Sequence, residues 1–196
     1  MNKHDHHHHD HSHNHSHDCG HDHDHGHDHS ILDELNHQHG TEIVLEGELN
    51  INVEKVWEIL TANHYLQQWF PELEFTDLKA GGNLHFEAES MDLLLEMMVY
   101  DVEPPTLLSF EWGEGDIVTF ELKAVDDNMT RMLYSQWIHH IDLEHHAKDI
   151  TGWLICMQKI AAIVNQEEIP DSLQLYNEYY HSVLELVKDQ SQAEFN

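Results

Sequence analysis

Residues 41–60 read TEIVLEGELNINVEKVWEIL, a period-two stretch that gives way within a few residues to a helical one. Ile43, Leu45, Leu49 and Ile51 alternate with Val44, Glu46, Glu48 and Asn50, the pattern of a strand with one buried face. Asn52 then stands where a helix N-cap belongs, and Glu54 falls in the first turn, where a negative charge suits the helix dipole. Val53, Val56, Trp57 and Leu60 follow at i, i+3, i+4 and i+7, one apolar stripe of a short helix.

Downstream, a loop containing Trp69, Phe70 and Pro71 leads into strands expected at roughly 73–79, 83–90, 93–102, 106–112, 116–125 and 130–138. Gly81-Gly82, Pro104-Pro105, Gly113 to Gly115 and Asp126-Asp127-Asn128 punctuate them, each a turn-forming group. Trp153, Cys156, Met157, Ile160, Ala161 and Val164 return to helical spacing, with Asp142 as a cap upstream. The order is strand, short helix, about six strands, long helix. That order predicts an α+β fold, an antiparallel sheet with helices on one face.

These elements carry a resemblance. Val56-Trp57 with Leu60, then Trp69-Phe70, resembles the opening of the START-like (SRPBCC) helix-grip superfamily. Gly81-Gly82 before a strand, Val102-Glu103-Pro104-Pro105 closing one, Phe110-x-Trp112 in the next and Gly152-Trp153 in the final helix are similar to the domain named for the activator of heat-shock-protein-90 ATPase. The similar stretch runs over about residues 42–165. It implies a curved antiparallel sheet wrapped around a long C-terminal helix, with a hydrophobic cavity between them. It does not imply one activity, since relatives include lipid and polyketide binders, cyclases and co-chaperone domains.

Trp69, Phe86, Met97, Trp112, Tyr134, Trp137 and Met157 are the large apolar side chains expected to face the helix and line such a cavity, because methionines and aromatics suit an adaptable apolar pocket. The plainer reading is that each only fills the core, and Trp57 and Trp153 are read that way. His139-His140 and His145-His146 bracket the entry to the last helix. They read as surface histidines, with docking of a metal ion as the sharper alternative. No Gly-x-Ser-x-Gly elbow, activated cysteine or phosphate-cradling loop is present. Acids are so frequent that pairing two for acid–base work would be arbitrary, so a binding protein is expected rather than an enzyme. A cyclase-like or hydrolytic use of the cavity is the remaining enzymatic alternative.

Upstream of Thr41 the composition is different. His4, His6, His7, His8, His9, His11, His13, His15, His17, His21, His23, His25, His27 and His29 alternate with Asp, Ser, Asn and Gly, with one thiol, Cys19. Nothing between Lys3 and Ser30 except that cysteine can join a core, so residues 1–40 are expected to be a disordered tail. Imidazole is the commonest protein ligand for zinc, nickel, copper and cobalt. A donor at every second residue can surround a divalent transition metal in many registers, with aspartates as occasional ligands or acceptors for the other ring nitrogen.

The domain limits expected are 1–40 for the tail, 41–165 for the START-like unit and 166–196 for an extension. In the extension, Pro170-Asp171-Ser172 signals a helix start, and Leu173, Tyr176, Tyr180, Val183, Leu184 and Val187 follow helical spacing. This helix is expected to pack on its own domain; the alternatives are a homodimer contact or a cover over the cavity mouth.

The formal net charge is −30, and residues 41–196 alone hold 30 acids against seven bases. Such a surface repels nucleic acid and anionic lipid, and favours a cation or a basic protein partner. No run is long enough to cross a membrane, and the N-terminus has no apolar signal stretch, so a cytoplasmic location is expected. The two cysteines, Cys19 and Cys156, lie in settings too different to suggest a disulfide. Three functions compete: a metal-responsive protein binding a hydrophobic small molecule or a protein partner, a co-chaperone-like regulator of a heat-shock-protein-90-type ATPase, and an enzyme.

Overall fold

The computed structural model describes residues 40–88, 92–113 and 115–193; the histidine-rich run from His4 to His29, with Cys19, lies outside them. Strand β1 (Thr41–Leu49) ends where Asn52 Oδ1 accepts the backbone N–H of Lys55 at 2.9 Å and starts α1 (Val53–Thr61). A second short helix, α2 (Asn63–Trp69), follows at once. Five more strands and then another run on: β2 (Leu73–Phe75), β3 (Asn83–Ala88), β4 (Leu93–Glu103), β5 (Leu107–Trp112), β6 (Asp116–Asp126) and β7 (Met129–Ile138). Helices α3 (Leu143–Asn165) and α4 (Ser172–Ala193) close the chain.

The seven strands form one antiparallel sheet in the order β1-β7-β6-β5-β4-β3-β2. The last strand returns beside the first, with Thr41 opposite Ile138 and Leu49 opposite Thr130. Successive strand residues point to opposite faces, and the registers align one set across the sheet. Phe86 meets Leu95, Leu84 meets Met97, Phe110 meets Val118, and Phe120 meets Tyr134. The sheet curves around α3, whose His146, Ile150, Trp153, Met157 and Ile160 are buried against it. The architecture is a helix-grip α+β fold.

Trp153 is the hub of the core. Its ring centroid lies 5.3 Å from Phe70, 4.9 Å from Trp112, 6.1 Å from Phe110, 5.8 Å from Phe120 and 5.4 Å from Tyr134. Most of these pairs are edge-to-face, the arrangement that the ring quadrupole favours by about 0.5–1.5 kcal/mol beyond area burial. Removal of such a side chain from a core costs about 3–5 kcal/mol.

Four local expectations change. The stretch 61–72 is not simply a loop, because α2 occupies most of it; Ala62, at its N-cap, makes no side-chain cap bond, so no start signal stood in the sequence. On α1, Ile59 is buried and Trp57 only half-buried. Strand β2 stops at Phe75 rather than running to 79, since Asp77 and Asn83 exchange backbone bonds in a tight turn. A Cβ at Gly82 would collide with the Asp77 carbonyl, and Gly81 sits at φ +75, so both turn glycines have a steric reason. The final helix runs 22 residues, beyond Val187, where its apolar spacing in the sequence ends. Leu175, Val183 and Val187 form its buried stripe, whereas Leu173 is 68% exposed. It packs on α3 and on β1 of its own chain.

Candidate functional site

Between the inner face of the sheet and the N-terminal half of α3 lie two cavities. The first, about 570 Å³, is walled by Phe86, Leu95, Met97 and Trp112 on the apolar side and by Asp116, Asp142, Asp149 and four histidines on the other. The second, about 610 Å³, lies beside Trp69, Phe70, Trp153 and Cys156, with Lys148 and Lys159 among its lining. Phe86, Trp112 and Asp149 belong to both. Phe86 and Trp112 stand edge-to-face at 5.7 Å, and Phe70 packs on each at 5.9 and 5.8 Å. An aromatic partition therefore divides one groove into two chambers, each within the size range of small-molecule sites.

The polar wall of the first chamber is a connected network. Asp142 caps α3 by accepting the N–H of His145 at 2.9 Å, and one turn of helix carries His146, buried, onto the inner face. His146 Nε2 donates to Asp116 Oδ2 at 3.1 Å, while Nδ1 lies 2.9 Å from the Asp142 carbonyl. Gln136 Nε2, from β7, donates to Asp116 Oδ2 and to Asp149 Oδ2, each at 2.8 Å. Trp112 Nε1 donates to both oxygens of Asp149 at 2.9 Å. Tyr134 completes the set, its hydroxyl donating to Gln136 Oε1 at 2.7 Å.

Charge follows from this bonding. Burial opposes protonation of His146, but the bonds to Asp116 and Asp142 and the charges of Asp116 and Asp149 outweigh it and hold the imidazole above its ordinary value. As imidazolium, both its N–H groups have acceptors, whereas the Asp142 N–H, 3.0 Å from Nδ1, can donate to that nitrogen only in the neutral ring. Burial pushes the Asp149 carboxyl up, against the pull of Trp112 and Gln136. Burial likewise holds the Tyr134 phenol well above its usual range. The Cys156 thiol is pushed up to about 12 by burial and donates weakly toward the Trp69 carbonyl at 3.7 Å, so it is an inert core thiol.

Of the side chains expected to line a cavity, Phe86, Met97 and Trp112 line the first chamber, and Trp69, Phe86 and Trp112 the second. Tyr134 and Met157 are buried in the core behind them. Trp137 is elsewhere. On a strand whose Tyr134 and Gln136 face α3, position 137 must face the other way; Trp137 pairs with Glu42 and Ile117 and packs over Gly40. The histidine pairs fall together rather than apart, because all four line the first chamber. His139, His140 and His145 are exposed there, whereas His146 is not a surface residue.

The residues missed from sequence are Asp116, Gln136, Asp149 and His146 in its buried role. A signal existed: His146, Asp149, Ile150, Trp153 and Met157 share one stripe of α3, so two polar groups stood on a core-facing line. Both nitrogens of His146 and both oxygens of Asp149 are engaged, which suits holding and orienting more than proton transfer. Among the described residues, no group of three or more His, Cys, Asp or Glu side chains is arranged to hold a metal ion, and no helix is long and apolar enough to cross a membrane.

The family model described as "Activator of Hsp90 ATPase homolog 1-like protein" matches residues 50–165. A comparison with curated proteins finds no match. Among solved structures, a conserved protein of unknown function from Enterococcus faecalis is similar at 26% identity, over 74% of this chain and 85% of that one, with a TM-score of 0.63. CalU16 from Micromonospora echinospora is similar at 20% identity, over 76% and 89% of the two chains, with a TM-score of 0.62. The Aha1 dimer of Colwellia psychrerythraea is similar at 16% identity, over 63% and 95%, with a TM-score of 0.55; these last two likenesses bear on the fold alone. The family match runs from just before α1 to the last residue of α3 and so takes in the whole lining of the first chamber and that of the second except Ser172. On that span the chain belongs to the Activator of Hsp90 ATPase homolog 1-like family.

Proposed function

We propose that the chain carries a small, largely apolar guest in the groove between the sheet and α3, and that its histidine-rich N-terminal segment takes up zinc, nickel, copper or cobalt. The observation that supports the first half is the pair of aromatic-walled chambers, of about 570 and 610 Å³, meeting at Phe86 and Trp112. A drug-sized molecule needs such a volume, a mainly apolar lining and a few fixed polar groups. The second half rests on the imidazole spacing of residues 4–29. Native mass spectrometry of protein purified without nickel resin tests both. The expected spectrum carries the mass of a retained guest, and added zinc gives several bound ions per chain. A spectrum that stays at the bare chain mass after incubation with a library of aromatic and aliphatic small molecules would end the carrier reading.

A second reading is co-chaperone-like. The family's descriptor names an activator of an Hsp90 ATPase, and residues 41–196 hold 30 acids against seven bases, a surface fit to dock on a basic protein face. Its signature would be capture of an Hsp90-type chaperone that weakens steeply as salt rises from 0.05 to 0.5 M. Capture indifferent to salt, or none, would remove it.

A further inference from the structure

The first chamber differs from the second in its charge, and one carboxylate oxygen in it stands open. Asp116 Oδ2 is occupied by His146 and Gln136, while Oδ1 carries no hydrogen bond from any described residue. The Asp116 side chain is 14% exposed, and it lines the chamber. Asp149, the other inner carboxylate, has donors on both oxygens. No lysine or arginine lines this chamber among the described residues, whereas Lys148 and Lys159 line the second.

We propose that the first chamber selects an amine: a guest whose aromatic or apolar body lies against Phe86, Met97 and Trp112 and whose protonated nitrogen meets Asp116 Oδ1. The physical case is one of exclusion. A purely apolar guest would cover Oδ1 and leave a buried acceptor without a donor. A carboxylate guest would face Asp116, Asp142 and Asp149 against one imidazolium, His146, that Asp116 already engages, in a protein of net charge −30. An ammonium group supplies the missing donor as a charge-assisted bond and gains attraction from the aromatic wall beside it. Gln136 and His146 hold Asp116 through Oδ2, which leaves Oδ1 for the guest. This inference deepens the carrier reading and rests on it.

The test uses three guests of one shape, tryptamine, tryptophol and indole-3-propionate, titrated calorimetrically into the full chain with chelator present and at 0.5 M salt. The expected order is amine, then alcohol, then acid, with the amine ahead of the alcohol by roughly tenfold. Asp116→Asn should bring amine and alcohol within about twofold of each other, and Asp116→Glu should keep the preference. Should Asp116→Asn fail to fold, the ranking in the unaltered chain still decides. Alcohol binding with no advantage for the amine, or an amine advantage that survives in Asp116→Asn, overturns the inference and leaves the carrier reading standing. Failure of all three guests to bind also overturns the inference, whereas the carrier reading falls only if the wider library leaves the chain at its bare mass.

Discussion

His146 is a position where one side chain couples the fold to the chamber. It is 6% exposed and touches both the α3 cap and Asp116. Its imidazole is held above its ordinary value, since the bonds and charges of Asp116, Asp142 and Asp149 outweigh burial. A group that binds its proton more tightly when folded contributes stability that is complete below the unfolded value, near 6.5, and drains away as pH rises through the folded value. Burial raises the Asp149 carboxyl as well, so the slope is assigned by comparing the wild-type chain with a variant at His146. His146→Gln should therefore flatten the fall in stability above about pH 6.5, read as urea midpoints between pH 6 and 8.5 with chelator present. A wild-type midpoint that is level over this interval would contradict the assignment. Residue identity alone did not disclose this role. His146 stands in a run with His145, and although its place with Asp149 on one stripe of α3 could be read, nothing among 38 acids marked Asp116 as its partner. Strand parity was legible, however: Tyr134 and Trp137 are three apart and could not both face the helix.

Among the elements, those that were legible carry a strong period or a cap. β1, α1 and α3 were readable because Asn52 and Asp142 sit at true caps, each side chain accepting a backbone N–H at 2.9 Å. α2 was not, being seven residues long and uncapped by any side chain. The final helix was placed correctly at its start, where Asp171 Oδ1 accepts the N–H of Gln174 at 2.8 Å. Its buried stripe is a different matter, running through Leu175, Val183 and Val187 rather than through Leu173. Because Val183 and Val187 belong to the same core as Ile43 and Trp153, α4 supports its own fold. Val187, fully buried, tests this: Val187→Ala should cost about 2 kcal/mol by urea titration with no change in sedimentation. A loss of association with unchanged stability would instead mark α4 as a contact between copies.

At the scale of the whole molecule, the histidine-rich segment precedes β1 in sequence. The chain enters the sheet at Thr41, paired with Ile138, one residue before His139. The exposed imidazoles of His139, His140 and His145 thus lie on the chamber nearest that entry. Among the described residues no group of three or more such donors is arranged to hold a metal ion, and His146 has both nitrogens engaged. Metal uptake should therefore belong to residues 1–40. Imidazole ligands must be unprotonated, so the full chain is expected to take up several zinc or nickel ions at pH 7.5 and to release them as pH falls towards about 5. A peptide of residues 1–40 should match its capacity in calorimetry, and a chain starting at Gly40 should retain none. If the shortened chain kept its uptake and lost it on His139→Asn, His140→Asn and His145→Asn together, the ion would have to be placed at the chamber rim. Guest and metal would then share one mouth, and each would alter the other's affinity by the same factor.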